Sequence, residues 1–270
     1  MKPIPEHKLA LIEVKNLNSG YGDRQILKNI NLSVYPGEIM VIMGGSGSGK
    51  STLLRDILGL HKISSGEILF NGTNICETSK SDLLTLRRTM GVAFQGGALL
   101  SSMSVGDNIK LPLRQHTNLD EKTISIMTRL KLELMNLAGY EDLMPSELSG
   151  GMLKRAGLAR AVIMDPKILF FDEPSAGLDP VTSVELDQLI LKLRNAMNMT
   201  IVVVTHELES AFTIADRITV LFDGEIVITG SVEEIKDCKD ERVSNLINRT
   251  PREVQIDAQK YLSRLTEESI

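Results

Sequence analysis

The chain has 270 residues, 42% hydrophobic and 24% charged, which is ordinary for globular proteins and wrong for disordered, collagen-like or disulfide-scaffold chains. Lys and Arg total 30 against 35 Asp and Glu, a formal charge of −5, which argues against broad, sequence-independent binding of nucleic acid. Cys76 and Cys238 stand far apart and form no Cys-x-x-Cys pair, so neither a metal cage nor a disulfide framework is expected.

The opening run Met1, Lys2, Pro3, Ile4, Pro5 breaks any apolar segment at once, so no signal peptide is expected. The apolar stretches at 39–43 and 201–204 fall far short of the roughly 18 residues a membrane span requires. A soluble, cytoplasmic chain is the expectation.

In chain order, a first short strand is predicted at 11–14. Residues 27–34 set Leu27, Ile30, Leu32 and Val34 against Lys28, Asn29, Asn31 and Ser33, the pattern of an antiparallel strand with one wet face. Apolar runs at 39–43, 91–94, 167–171, 200–204 and 218–222, with helical patterns between several of them, predict an α/β chain with much parallel sheet. From about 96 to 165 no strand is predicted. Ile124, Met127, Leu130, Leu134 and Leu137 fall at helical spacing there, and 148–163 also reads as helix, so this stretch is a helical insertion.

Residues 231–270 form a C-terminal helical extension with an apolar stripe of Val243, Leu246, Ile247, Val254, Tyr261, Leu262 and Leu265, divided by Pro251 into two helices. The stripe either packs back on its own sheet or, the reading favoured here, buries itself against a second copy or an accessory subunit.

Three motifs carry chemistry. Gly44, Gly45, Ser46, Gly47, Ser48, Gly49, Lys50, Ser51 and Thr52 fit G-x-x-x-x-G-K-[ST] between an apolar strand and a helical pattern at 53–60, where a Ser/Gly linker would not sit. The glycines let backbone N–H groups converge on phosphate oxygens. Lys50 brings a cation to the β- and γ-phosphates, and the Ser51 hydroxyl can ligate Mg²⁺. Asp172 and Glu173 follow the buried run 167–171, at the strand end where open α/β sheets bind ligands. Asp-Glu in that place is a solvated turn or a catalytic pair. The phosphate loop favours the pair, with Asp172 holding Mg²⁺ through water and Glu173 polarising the attacking water. Ser149, Gly150 and Gly151, after Leu148 and before a helix, read either as a turn with a serine N-cap or as a second phosphate cradle.

Together these motifs make the chain, from about 11 to 230, resemble the nucleotide-binding subunits of ATP-binding cassette (ABC) transporters. The Leu-Ser-Gly-Gly run ahead of the carboxylate pair is the specific element. The resemblance implies an ATPase using ATP and Mg²⁺, with a cassette at 9–230 and its helical subdomain at about 96–165. It also implies a homodimer whose phosphate loop in one chain and Ser149, Gly150 and Gly151 in the other sandwich ATP. Position by position, Tyr21 resembles the aromatic that stacks on adenine, and Gln95 the glutamine that touches Mg²⁺ and the attacking water. Ser175, Ala176, Gly177, Leu178 and Asp179 resemble the loop that crosses the dimer interface, and His206 the histidine that contacts the γ-phosphate. One departure stands out. Met152 replaces the usual glutamine and cannot make its hydrogen bonds, though the phosphate contacts of Ser149 and the glycines survive.

Met152 with Lys154 and Arg155, and Gly96, Gly97 and Ala98 after Gln95, narrow the resemblance to the ATPases of Mla phospholipid transport systems, which maintain outer-membrane lipid asymmetry. That implies a peripheral subunit at the cytoplasmic face of a Gram-negative inner membrane. Its partners would be an integral membrane permease, a periplasmic MCE-domain lipid-binding subunit and a cytoplasmic STAS-domain protein, with no nucleic acid. An importer ATPase for amino acids or another small solute would share every catalytic motif. A soluble non-transport cassette would need a coiled-coil insertion or a second cassette, which this sequence lacks.

Overall fold

In the computed structural model, residues 9–250 are described. β1 (Ile12–Tyr21) and β2 (Arg24–Val34) form an antiparallel pair with Ile12 opposite Val34 and Val14 opposite Leu32. Ile30, Leu32 and Val34 are buried at every second residue, and Leu27, three residues before Ile30, reaches the same face because the strand is irregular at Asn29, which has φ 47. β3 (Ile39–Met43) leads through the glycine loop into α1 (Lys50–Ile57). β4 (Ser65–Phe70) and the two-residue β5 (Thr73–Asn74) complete a four-stranded antiparallel sheet in the order β2-β1-β4-β5. After α2 (Lys80–Arg87) and β6 (Met90–Ala93) comes the helical insertion: α3 (Val105–His116), α4 (Glu121–Leu134) and α5 (Gly150–Ala161). The chain then alternates β7 (Ile168–Asp172), α6 (Pro180–Met197), β8 (Thr200–Thr205), α7 (Leu208–Ile214) and β9 (Arg217–Phe222), and ends with β10 (Glu225–Gly230), α8 (Val232–Lys236) and α9 (Glu241–Ile247).

The second sheet has six strands in the order β10-β9-β3-β8-β7-β6, and every pairing among β6, β7, β8, β3 and β9 is parallel. Its strands are apolar on both faces because both are covered. Met40, Ile42, Phe170, Val202 and Val204 meet α1 and the antiparallel sheet, whereas Val41, Met43, Phe171, Ile201 and Val203 meet the helices on the other side. Each such side chain contributes about 1.5–3 kcal/mol of burial before ordering costs. This order sets the ends of β3, β8, β7 and β6 side by side.

Two expectations need correction. In α4 the buried residues are Ile124, Thr128 and Leu132, while Leu130 is 59% exposed on the opposite face. The extension packs on its own chain as far as residue 250. Ile235 and Val243 are buried in the helical-side core, and Leu246 and Ile247 lie against it, so these residues are not free for a second copy. Short apolar side chains beside the β9–β10 edge find the nearest groove in their own fold. Pro251, Val254, Tyr261, Leu262 and Leu265 lie outside the described residues.

Candidate nucleotide site

The phosphate loop is shaped by crowding at β3. A Cβ on Gly44 would stand 2.2 Å from the Leu221 carbonyl oxygen and 2.6 Å from Ser48 Oγ, so only glycine lets the loop leave the strand there. Gly49, at φ 107, takes the N-cap position of α1 without a side chain that would occupy the helix N–H groups. Those donors and the helix dipole remain aimed outward, the requirement for an anion site. Lys50, only 7% exposed, folds back to donate to the carbonyls of Gly44 at 2.9 Å and Gly45 at 3.0 Å. Burial lowers the pKa of its ammonium, and the charges of Glu173 and Asp172 act against that shift.

β7 lies one strand beyond β8 and delivers Asp172 and Glu173 to the same end of the sheet. Asp172 Oδ1 is buried and accepts no hydrogen bond among the described residues, as is Ser48 Oγ. Burial raises the Asp172 pKa, the Glu173 charge adds to it, and Arg55 and Lys50 pull it down. Glu173 adopts a left-handed backbone at φ 50, a conformation costing on the order of 1–3 kcal/mol that surrounding contacts must hold. They do so through its N–H, which donates to the Val204 carbonyl at 2.8 Å, and through His206, whose Nδ1 meets Glu173 Oε2 at 2.8 Å. The His206 ring is 52% exposed and its Nε2 lies 3.4 Å from Glu207 Oε1.

Gln95 sits exposed in the turn after β6, at the same sheet end. Of the two glycines after it, Gly96 faces open space and Gly97 has a packing reason: Cβ atoms on Gly97 and on Gly157 of α5 would strike the Leu153 and Gly97 carbonyl oxygens at 2.8 and 2.7 Å. The turn therefore lies backbone to backbone on α5, and Arg160 donates to the Gly97 carbonyl at 3.2 Å. Tyr21, 45% exposed at the end of β1, has its ring 4.5 Å from that of His61, tilted by 41°, and its hydroxyl accepts from Arg55 at 3.3 Å. His61 Nδ1 in turn pairs with the buried Asp56 at 2.8 Å. Arg55 and His61 carry no sequence motif, and only the fold brings them to Tyr21.

Ser149, Gly150 and Gly151 stand apart from this cluster. Ser149 caps α5, accepting from the Met152 N–H at 3.3 Å, and is exposed together with Gly150. A Cβ on Gly151 would meet Thr182 Cγ2 at 2.8 Å, so the start of α5 lies against the start of α6. Ser175 is buried in the loop after Glu173, and Asp179 caps α6 by accepting from Val181 and Thr182. The N-cap reading of Ser149 stands, and the helix N-terminus it leads is exposed.

Residues 27–176, more than half the chain and the stretch from the buried β2 to the loop after Glu173, match the family model described as ABC transporter. The chain belongs to the ABC transporter family. The chain is 43% identical over 260 residues to the intermembrane phospholipid transport system ATP-binding protein MlaF of Haemophilus influenzae, covering 95% of this chain and 98% of that protein. It is 44% identical over 238 residues to MlaF of Escherichia coli, covering 88% of each. Among solved structures it resembles a dimeric ATP-binding cassette in a post-hydrolysis state bound to ADP and Pi. The TM-score is 0.75 and the identity 31%, over 82% of this chain and 98% of that one. The α/β cassette fold and the ATPase activity read from the sequence both stand. Among the described residues, no helix is long and apolar enough to cross a membrane.

Proposed function

We propose that this cassette hydrolyses ATP to drive a phospholipid transporter of a Gram-negative inner membrane, working as a homodimer on the cytoplasmic face beneath an integral permease. The supporting observation is a likeness to the phospholipid-transport relative of Haemophilus influenzae that runs through 95% of this chain, together with a complete carboxylate–histidine pair at the sheet end. An MCE-domain lipid-binding subunit and a STAS-domain protein complete the proposed assembly. Lipid does not touch this chain.

Each residue then has a task. Tyr21, backed by His61, stacks on adenine. The loop from Gly44 through Gly45, Ser46, Gly47, Ser48 and Gly49 to Lys50, Ser51 and Thr52 wraps the phosphates, and Lys50 exchanges the carbonyls of Gly44 and Gly45 for phosphate oxygens. Glu173 polarises the attacking water, and His206, held beside Glu173 by the Nδ1–Oε2 contact, reaches the γ-phosphate. Ser149, Gly150 and Gly151 close over the partner's nucleotide while Ser175, Ala176, Gly177, Leu178 and Asp179 run along the interface.

Among the described residues no cluster of three or more His, Cys, Asp or Glu could cage a metal. A cation here would be held by few protein groups and by phosphate oxygens, as suits Mg²⁺. The unpartnered Asp172 Oδ1, the Ser51 hydroxyl and Gln95 fit that role. When bound, Mg²⁺ neutralises charge on the β- and γ-oxygens.

Purification of a tagged chain from Gram-negative membranes, followed by reconstitution, tests the assignment. The expected result is co-purification of a permease, with ATP-dependent movement of labelled phospholipid. A complex that moves amino acids and leaves phospholipid in place would contradict it.

A further inference from the structure

Lys154 lies one turn into α5, just past Ser149, Gly150, Gly151 and Met152, and its side chain is half-buried. Nζ donates to the Pro174 and Ala176 carbonyls, both at 2.5 Å. Those are the first and third residues after Glu173. Two of the three N–H donors of the ammonium are therefore spent on the backbone of one short loop. The neighbouring contacts run the same way. Arg155 pairs with Glu185 of α6, and Gly151 lies against Thr182. Ser175, between the two bonded carbonyls, is buried.

We infer that Lys154 is a positioning residue that clasps the loop following Glu173 to the helix presenting Ser149, Gly150 and Gly151 to the partner's nucleotide, and so couples the two sites of the dimer. The inference rests on the paired-cassette reading above. In that arrangement α5 touches ATP bound by the partner, whereas Pro174 and Ala176 follow the carboxylate acting on the chain's own ATP. Charge-assisted bonds to two carbonyls are directional and stiff, so a shift of α5 is carried to the Glu173 loop instead of being lost in a flexible contact. The charge of Glu173 favours the ammonium, against the burial that lowers its pKa. Methionine in place of lysine keeps the length and loses every donor.

The test is steady-state ATP hydrolysis by the intact transporter complex as a function of ATP concentration, for wild type, Lys154→Met and Lys154→Arg, with nucleotide affinity measured on each. For Lys154→Met the inference expects kcat to fall about tenfold or more and the Hill coefficient to approach 1, with ATP affinity within about twofold of wild type. Lys154→Arg, which retains N–H donors, should recover much of both. A Lys154→Met complex that keeps the wild-type rate and a wild-type Hill coefficient above 1 overturns the inference. So does a loss of rate matched by an equal loss of ATP affinity and not recovered by arginine, which is general damage to the fold. A wild-type Hill coefficient of 1 instead removes the paired-site reading, and the inference with it.

Discussion

Glu173 and His206 are joined twice, by His206 Nδ1 at 2.8 Å from Glu173 Oε2 and by the His206 backbone N–H at 3.3 Å from the same oxygen. The two residues end adjacent parallel strands, and the Glu173 N–H is anchored to Val204, two residues before His206. The two side chains are therefore positioned as one unit, and the proposed function makes them the catalytic carboxylate and the γ-phosphate contact.

Glu173→Gln should retain nucleotide affinity and lose turnover by about 10²–10⁴-fold, because the amide neither takes a proton nor polarises water as the carboxylate does. Lys50→Ala should instead weaken nucleotide binding. ATPase rates and nucleotide binding on both variants check the split. Near wild-type turnover in Glu173→Gln would remove that residue from its role.

Asp172 is raised in pKa by burial, so its charged form is the disfavoured one in the folded chain. The stability associated with its neutral form is fully present below the ordinary carboxylate range and is lost as pH rises through the raised folded value. Asp172→Asn should therefore unfold at a higher temperature than wild type near pH 7, by roughly 2–4 °C per kcal/mol recovered, with the gain vanishing below about pH 4. Hydrolysis should be lost. Thermal melts across pH decide it, and a variant less stable than wild type at neutral pH contradicts the desolvation argument.

If Tyr21 stacks on adenine, Tyr21→Phe should bind ATP almost normally. Tyr21→Ala should lose about 1–3 kcal/mol, seen as a rise in KM with little change in kcat. Equal losses in both variants would point to the Arg55–hydroxyl contact instead.

Val243 is fully buried against its own chain. Val243→Asp should cost at least about 3 kcal/mol in urea unfolding by placing an unpaired charge in the core. An unchanged midpoint would return this helix to the surface.

Much of the cassette was legible because its signals are local. β3, β7 and β8 are nearly pure apolar runs, and the phosphate loop, carboxylate pair and Leu-Ser-Gly-Gly turn follow from chain order alone. β4, which lies between β1 and β5, and the edge strand β10 gave no such signal, because both are half-exposed and lack clean alternation. In α4 the polar Thr128 is buried while the apolar Leu130 is exposed. The Thr128 hydroxyl donates to the Ile124 carbonyl at 2.8 Å, which lets that side chain turn inward. The Lys154 clasp was hidden because its acceptors are backbone carbonyls, which no side-chain pattern reports.

The central claim is that each ATP site is built from two chains. Mixed dimers of a Lys50→Ala chain with a Ser149→Arg chain test it most directly. Composite sites leave one site wholly intact and the other doubly damaged, so nucleotide crosslinking in purified mixed dimers should label one site per dimer, on the Ser149→Arg chain. Failure to label either chain, with the dimer still assembled, would mean that the Ser149 cradle serves its own chain and would contradict the account.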